Sequence, residues 1–227
     1  MTRFSSHFGL GKSQRELDFV DVHLDRDLLA FVDPFAISQR PDRWSQEAHA
    51  HLIAYFQRIV DSIRDGRPGD ARTLLSSLHE PNETRLGFSR RRPQGAGIGD
   101  GQAEKLFAAL VESNAVQTGF LNSLEECELL IDGIGPDKIS DLTTNVIRSL
   151  LADYTAAQCN LHGIATQQVA LKPGYSLAAQ GWVSDFGQLP VVAGRPVLLV
   201  PRSIVRVRAA YNHQDFYRHY ALDFLQA

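Results

Sequence analysis

Three aspartates in one short stretch of the sequence have the residue type and spacing for cation chemistry. The segment IDGIGPDKISDLTTN, residues 131–145, contains Asp132, Asp137 and Asp141 where an apolar run ends and, after a turn with glycine and proline, a helix is predicted to begin. Carboxylates at the end of one element and the start of the next converge on a small volume. Mg²⁺ prefers such oxygen ligands and keeps several waters. In this interpretation the three aspartates bind Mg²⁺, and Lys138 contacts a phosphate or the attacking water.

The same aspartates also have a structural interpretation. Ser140 or Asp141 occupies the N-cap position of a predicted helix that runs to about Gln158, where a carboxylate satisfies the first backbone amides. Asp137 suits the preceding turn. The two interpretations differ in geometry. An enzyme requires the carboxylates of Asp132 and Asp141 about 4–6 Å apart in an open cleft, whereas structural aspartates are held in caps.

Residues 80–101 are predicted to form a long surface loop, because they contain two prolines and five glycines. The glycines allow backbone amides to approach an anion, and arginines bind phosphate with two donors at once. Candidate phosphate-binding residues in this loop are Arg90, Arg91, Arg92, Gly97 and Gly99. No Gly-Lys-Ser/Thr follows, which excludes a Walker A motif. The alternative is a solvated loop without a ligand.

The segment Ser203–Arg208 alternates apolar residues with arginines and predicts an exposed strand. Arg206 and Arg208 would then project from the same face and contact a nucleic-acid backbone. Alternating arginines also protect a sheet edge against pairing with another chain, so this alternative stays open.

Composition and motifs exclude several classes of protein. The net charge is −3, which argues against a strongly basic nucleic-acid binder but not against a local basic patch. Two cysteines without a Cys-x-x-Cys motif exclude a zinc ribbon, and no His-Glu-x-x-His or Gly-x-Ser-x-Gly motif is present. No apolar run is long enough for a signal peptide or a membrane span, so we expect a cytoplasmic protein without a membrane partner.

Helical and strand patterns alternate along the chain and predict an α/β or α+β fold. The clearest helix covers Trp44–Arg64, where apolar residues recur every three or four positions. Alternation over 17–24 and a dense apolar run over 28–32 predict an opening hairpin. We expect a flexible arm at 1–16, followed by one domain at 17–227 with a mixed central sheet flanked by helices.

Gly135-Pro136-Asp137-Lys138 resembles the acidic half of the PD-(D/E)XK metal-dependent nucleases. This resemblance implies Mg²⁺ held by an Asp at a strand end, with Glu125, Glu126 or Glu128 as a further acid. The family's Glu-x-Lys on the next strand has no counterpart, since Gln168–Lys172 offers only a Gln and a Lys. The segments LDFVDVHL, GIGPDKISDLTTN and RPVLLVPRSIVRVR also resemble a bacterial protein type encoded near phage-defence or restriction genes.

These observations lead to one leading hypothesis and two alternatives. The leading hypothesis is metal-dependent cleavage of nucleic acid, by phosphodiester hydrolysis, in a phage-defence or restriction context. One alternative is a non-catalytic subunit that binds nucleic acid, a protein partner or another copy of the chain, which the missing Glu-x-Lys favours. The other is a nucleotide sensor built on the glycine-rich loop.

Overall fold

The computed structural model describes residues 2–87, 100–113, 116 and 135–206. Helices and short strands are intermixed along these residues, which confirms the mixed α/β class. The helices are α1 (Phe4–His7), α2 (Pro34–Ser38), α3 (Arg43–Arg64), α4 (Pro68–Ser76), α5 (Asp100–Glu112), α6 (Pro136–Val146) and α7 (Arg148–Leu161). Single 3-10 turns cover Gln14–Glu16, Asn82–Thr84 and Arg202–Ile204.

The described strands pair as separate antiparallel ladders of two strands, where we expected one central sheet. They are β1 (Phe31–Val32), β2 (Gln167–Ala170), β3 (Gly174–Ser176), β4 (Gly181–Val183), β5 (Phe186–Leu189), β6 (Val191–Val192), β7 (Arg195–Pro196) and β8 (Val205–Arg206). The pairs are β1 with β8, β2 with β5, β3 with β4, and β6 with β7. Strands of two to four residues are too short to join into one sheet, so helices supply most of the core.

The predicted opening hairpin is wrong, whereas a tight hairpin forms near residue 194. Residues 17–24 form only isolated bridges, and β1 pairs with the distant strand β8. By contrast, β6 and β7 are joined through Ala193 and Gly194, whose φ angles are 49° and 74°. Two consecutive positive φ angles are typical of a tight turn whose twist matches that of the strands.

Helix α3 organises the larger of the two apolar clusters. Asp42 caps it, since the Asp42 side chain accepts a hydrogen bond from the backbone amide of Ser45. Its buried face includes Leu52, Phe56 and Ile59, which pack with apolar residues of α4, α5 and α6. None of the helices in the described part of the chain is both long and apolar enough to cross a membrane.

Residues 197–200 connect the two apolar clusters. Val197 and Leu199 belong to the smaller cluster, whereas Leu198 and Val200 belong to the larger one. Side chains alternate between the two sides of an extended chain, so each side of this segment faces a different cluster. All four side chains are at most 2% exposed, which explains the dense apolar run in the sequence.

The N-terminal segment is part of the core, which corrects the expectation of a flexible arm over 1–16. Phe4 in α1 is fully buried, and its ring lies edge-on to Phe19 with 5.6 Å between ring centroids. The carboxylate of Asp21 accepts hydrogen bonds from the backbone amide and hydroxyl of Ser5, each at 2.8 Å. These few buried contacts were not evident from the sequence, because most residues of the segment are polar.

Candidate functional site

Four polar residues form a line along one face of α6 and the start of α7. They recur at steps of four, four and three residues, which is the spacing of one helical face: Asp137, Asp141, Asn145 and Arg148. The helical path continues through Ile147 between the two helices, because the Ile147 amide bonds to the Thr143 carbonyl at 3.1 Å and the Leu151 amide bonds to the Ile147 carbonyl at 3.0 Å. The four side chains therefore face the same neighbouring segment.

The start of α6 bears on one of the roles predicted for the aspartates, the capping of a helix. The helix begins at Pro136 after Gly135, so Ser140 and Asp141 lie inside it and do not cap it. The Ser140 hydroxyl instead accepts a hydrogen bond from the Val32 amide at 2.9 Å, which joins α6 to β1. Asp137 lies in the first turn, where a carboxylate interacts favourably with the helix dipole. The capping role predicted for Ser140 or Asp141 is thus wrong.

Asn145 fastens the segment 77–87, which follows α4, to this helical face. Its side-chain amide donates to the carbonyl oxygens of His79 at 2.6 Å and Asp141 at 2.7 Å. Its side-chain oxygen accepts from the His79 amide at 3.3 Å and from Arg148 at 3.1 Å. Because Asn145 is fully buried, these bonds are shielded from water and hold Glu80 next to α6.

Two cations and Glu83 complete the polar group. The guanidinium of Arg148 is only 2% exposed and donates to the Glu83 carboxylate at 3.3 Å. Lys172, which follows β2, donates to the Glu80 carbonyl at 3.2 Å, and its Nζ lies 3.9 Å from the Glu83 carboxylate. The Leu198 amide holds the Glu83 carbonyl at 2.9 Å. The helical face, the segment 77–87 and Lys172 thus meet at one place.

The carboxyl groups at this place have raised pKa values. Burial, together with the negative charges of Asp137 and Glu80, raises the pKa of Asp141 to about 8. Burial also raises the pKa of Glu80, with a further contribution from Asp137, while Asn82 and Lys172 oppose the change. Burial raises the pKa of Asp137 as well. Burial and the neighbouring negative charges thus both disfavour the ionised forms of these carboxyl groups.

The described residues contain no group of three or more His, Cys, Asp or Glu side chains arranged to hold a metal ion. Mg²⁺ is usually bound by one or two carboxylates and completes its shell with waters and substrate phosphates. Asp137 and Asp141, one helical turn apart and joined by Glu80, match that donor chemistry.

The structure describes part of the predicted site. Asp137 and Asp141 lie together, and Lys138 is half-buried beside Asp137. Arg206 is ion-paired with Asp33, which is 5% exposed, so the Arg206 guanidinium already has an anionic partner within the chain. The remaining predicted residues lie outside the described part of the chain: Asp132, Arg90, Arg91, Arg92, Gly97, Gly99 and Arg208.

Sequence reasoning did not assign to this site four residues that the structure brings there. Asn145 and Arg148 continue the polar line begun by Asp137 and Asp141, and that spacing was visible in the sequence. Glu80 carried no such signal, because its approach to α6 depends on how the segment 77–87 folds back. Lys172 was noted only as the lysine at the wrong spacing for the nuclease motif.

Residues 9–212 match the model of the family described as Domain of unknown function (DUF8370). The match covers most of the chain, so the protein belongs to this family. Comparison with curated proteins and with solved structures gave no match.

Proposed function

We propose that this protein hydrolyses phosphodiester bonds in nucleic acid with the help of Mg²⁺, at the site formed by Glu80, Asp137, Asp141 and Lys172. One observation carries the proposal. Two carboxylates on one helical face, a third from another segment and a lysine occupy the same place. Phosphodiester hydrolysis requires both kinds of group, because anionic ligands hold the metal while a cation offsets the charge of the phosphate.

The acidic and basic residues of the site would have different roles, metal binding and phosphate binding. Asp137 and Asp141 would hold Mg²⁺, with Asp132 as a third ligand in the sequence-based hypothesis, and Glu80 would accept hydrogen bonds from the waters that the metal keeps. The ammonium of Lys172 would contact a phosphate oxygen of the substrate. Asn145 is a positioning residue, since it holds the backbone of both His79 and Asp141. A bound Mg²⁺ supplies a Lewis acid and lowers the pKa of a coordinated water.

The proposal includes the setting and the partners predicted from the sequence. Nucleic acid is the substrate, in a bacterial defence or restriction context, and a protein partner or a second copy of the chain supplies any group that this site lacks. The resemblances described above support this setting. A cytoplasmic location is supported by Cys159, which is buried as a free thiol, as is typical of reducing compartments.

The test is cleavage of supercoiled plasmid and of single-stranded DNA and RNA by the purified protein with Mg²⁺, Mn²⁺ or EDTA. We expect cleavage that requires the metal. Asp141→Asn should reduce the rate by more than about 100-fold because it removes a metal ligand, and Glu80→Gln should reduce it by about 10–100-fold, as is typical of outer partners of metal ligands.

Asp153→Asn is the matched control, since Asp153 is an exposed aspartate on α7, outside the acidic group. This variant should cleave at the wild-type rate, and loss of cleavage in Asp141→Asn protein purified in the same way excludes a contaminating nuclease as the source of activity. Absence of cleavage with every metal and substrate would contradict the proposal. Nucleic-acid binding without cleavage would favour the non-catalytic alternative.

A further inference from the structure

A cavity of about 340 Å³ lies beside the acidic group. Arg148 and Lys172 line it, together with Ser149 and Ser176, so part of its wall consists of cations and hydroxyl groups. Its volume is within the usual range of ligand pockets, about 300–1,000 Å³. The two cations connect this cavity with the acidic group, because both contact Glu83.

Arg148 has donor capacity that its neighbours do not use. Its two terminal nitrogens donate to Glu83 and Asn145, but Nε has no hydrogen-bond partner in the part of the chain that the structure describes. A buried cation with an unused donor is costly unless another group completes its bonds. Nε is itself buried, so Arg148 would act on a ligand in the cavity through its positive charge, whereas the ammonium of Lys172, whose side chain is 41% exposed, can contact a phosphate oxygen directly.

The rest of the wall is apolar and includes exposed side chains. Leu177 is 40% exposed and Val183 is 43% exposed, and both line the cavity with Leu171 and Tyr175. Large apolar side chains exposed beside a basic group suit a ligand that is itself half apolar and half anionic. Asp185 also lines the cavity, and a carboxylate is a common acceptor for ribose hydroxyl groups.

The wall next to Arg148 is closely packed. A Cβ built on Gly174 of β3 would lie 3.5 Å from the Ser149 amide nitrogen and 3.6 Å from the Arg148 Cβ. A methyl group added at this position would therefore make ordinary van der Waals contacts, so β3 lies close beside the first turn of α7 in this wall.

We infer that this cavity binds one nucleoside monophosphate unit, with its phosphate on Lys172 beside the charge of Arg148, its sugar near Asp185 and its base against Leu177 and Val183. The unit comes either from a free nucleotide or from a nucleic-acid strand. That a nucleic-acid strand supplies the unit rests on the function proposed above. Binding of the unit by the cavity does not rest on it.

Calorimetric titration in EDTA tests this inference without any cleavage. The probes are the four ribonucleoside 5′-monophosphates and a short single-stranded oligonucleotide, titrated into the Asp141→Asn protein. Binding of the monophosphates supports the pocket with a free nucleotide as ligand, and binding of the oligonucleotide alone supports it with a strand as ligand. If neither probe binds, the inference is overturned.

Two variants with matched controls locate the binding. Lys172→Gln should weaken it about tenfold or more, since a hydrogen bond to a charged group contributes about 1.5–3 kcal/mol, while Lys105→Gln on α5 should not. Ala178→Trp should fill the cavity from the exposed turn between β3 and β4 and abolish binding. Ala179→Trp, next to it but outside the lining, should leave binding unchanged.

The outcomes separate this inference from the proposed function. Equal affinities of the Ala178→Trp and Ala179→Trp proteins would overturn the pocket even if the wild-type protein cleaves nucleic acid. Monophosphate binding that Ala178→Trp abolishes would support the pocket even if no cleavage is found.

Discussion

At the scale of single residues, the molecule concentrates incompletely bonded buried charges around the segment 77–87. Glu83 Oε2, Arg85 Nε, Arg148 Nε and Asp27 Oδ1 are buried and have no hydrogen-bond partner among the residues that the structure describes. Buried polar atoms of this kind destabilise a fold, so folded proteins retain few of them. Their clustering beside Glu80 and Lys172 is therefore consistent with a site that exchanges ligands or water.

Asp27 gives a pH-dependent prediction at this scale. Burial raises its pKa to about 6, with a smaller contribution from Glu80 and opposition from Arg85. An aspartate in the unfolded chain titrates near about 3.9. Between these two values the folded protein retains a proton that the unfolded chain has released. The contribution of Asp27 to the free energy of unfolding therefore falls as the pH rises from about 4 to about 6, and stays lower above that range.

Asp27→Asn should remove this dependence. We expect the variant to be about 1 kcal/mol more stable than the wild type at pH 7 and equally stable at pH 4, a value reduced for solvent screening of a half-buried group. Urea denaturation at pH 4, 5, 6 and 7 measures the difference. Asp25→Asn, an exposed neighbour, is the control. A difference that is constant across this pH range would contradict the prediction.

At the scale of elements, the contact between the segment 77–87 and α6 is what assembles the acidic group. This segment is short of regular structure and contains one 3-10 turn, after which Arg85 adopts a φ of 56°. Its position depends on Asn145, Arg148 and the Leu198 amide. Backbone hydrogen bonds with Leu28 and Leu198 hold residues 83–87, so the side-chain bonds of Asn145 matter most for the part of the segment that carries Glu80.

Asn145→Ala tests the contact between the segment 77–87 and α6. The change removes four hydrogen bonds of the Asn145 side chain and leaves buried backbone groups of His79 without partners. We expect the free energy of unfolding to fall by about 2–4 kcal/mol and amide hydrogen exchange in residues 79–85 to accelerate. Asn160→Ala, at an exposed position on α7, should change neither quantity. Unchanged exchange in residues 79–85 would show that Asn145 does not hold the segment.

At the scale of the whole molecule, two apolar clusters share one extended segment, residues 197–200. The smaller cluster contains residues from the N-terminal segment, α7 and residues 197–200. The larger contains α3 to α6. Leu86 and Val205 pack against both clusters, so the clusters are continuous through these contacts. Loss of the N-terminal anchors should therefore weaken a large part of the molecule.

Phe4→Ala tests the contribution of the N-terminal segment. Phe4 is fully buried, and replacing a buried Phe by Ala typically costs about 3–5 kcal/mol. We expect a loss of that size in urea denaturation. Phe186→Ala is the control, because Phe186 is 64% exposed and its replacement should cost less than about 1 kcal/mol. Equal stabilities of the two variants would mean that residues 1–16 do behave as a free arm.

The sequence by itself determined the features that depend on local spacing. The apolar period of α3 and the tight turn at Gly194 follow from residues within a few positions of one another, whereas the expected start of the helix at Ser140 or Asp141 left Asp137 outside it. Side-chain direction repeats every 3.6 residues in a helix and every two in a strand, so such patterns hold whatever the element packs against.

Only the tertiary structure decided which polar groups meet. Glu80 and Lys172 are far from Asp141 in sequence, and Phe4 reaches the core through contacts with Phe19 and residues near 197–200. Such contacts depend on how whole elements pack, and no local period encodes them. The start of α6 could not be predicted for the same reason. Ser140 has the residue type of a helix cap, yet its hydroxyl accepts a hydrogen bond from β1.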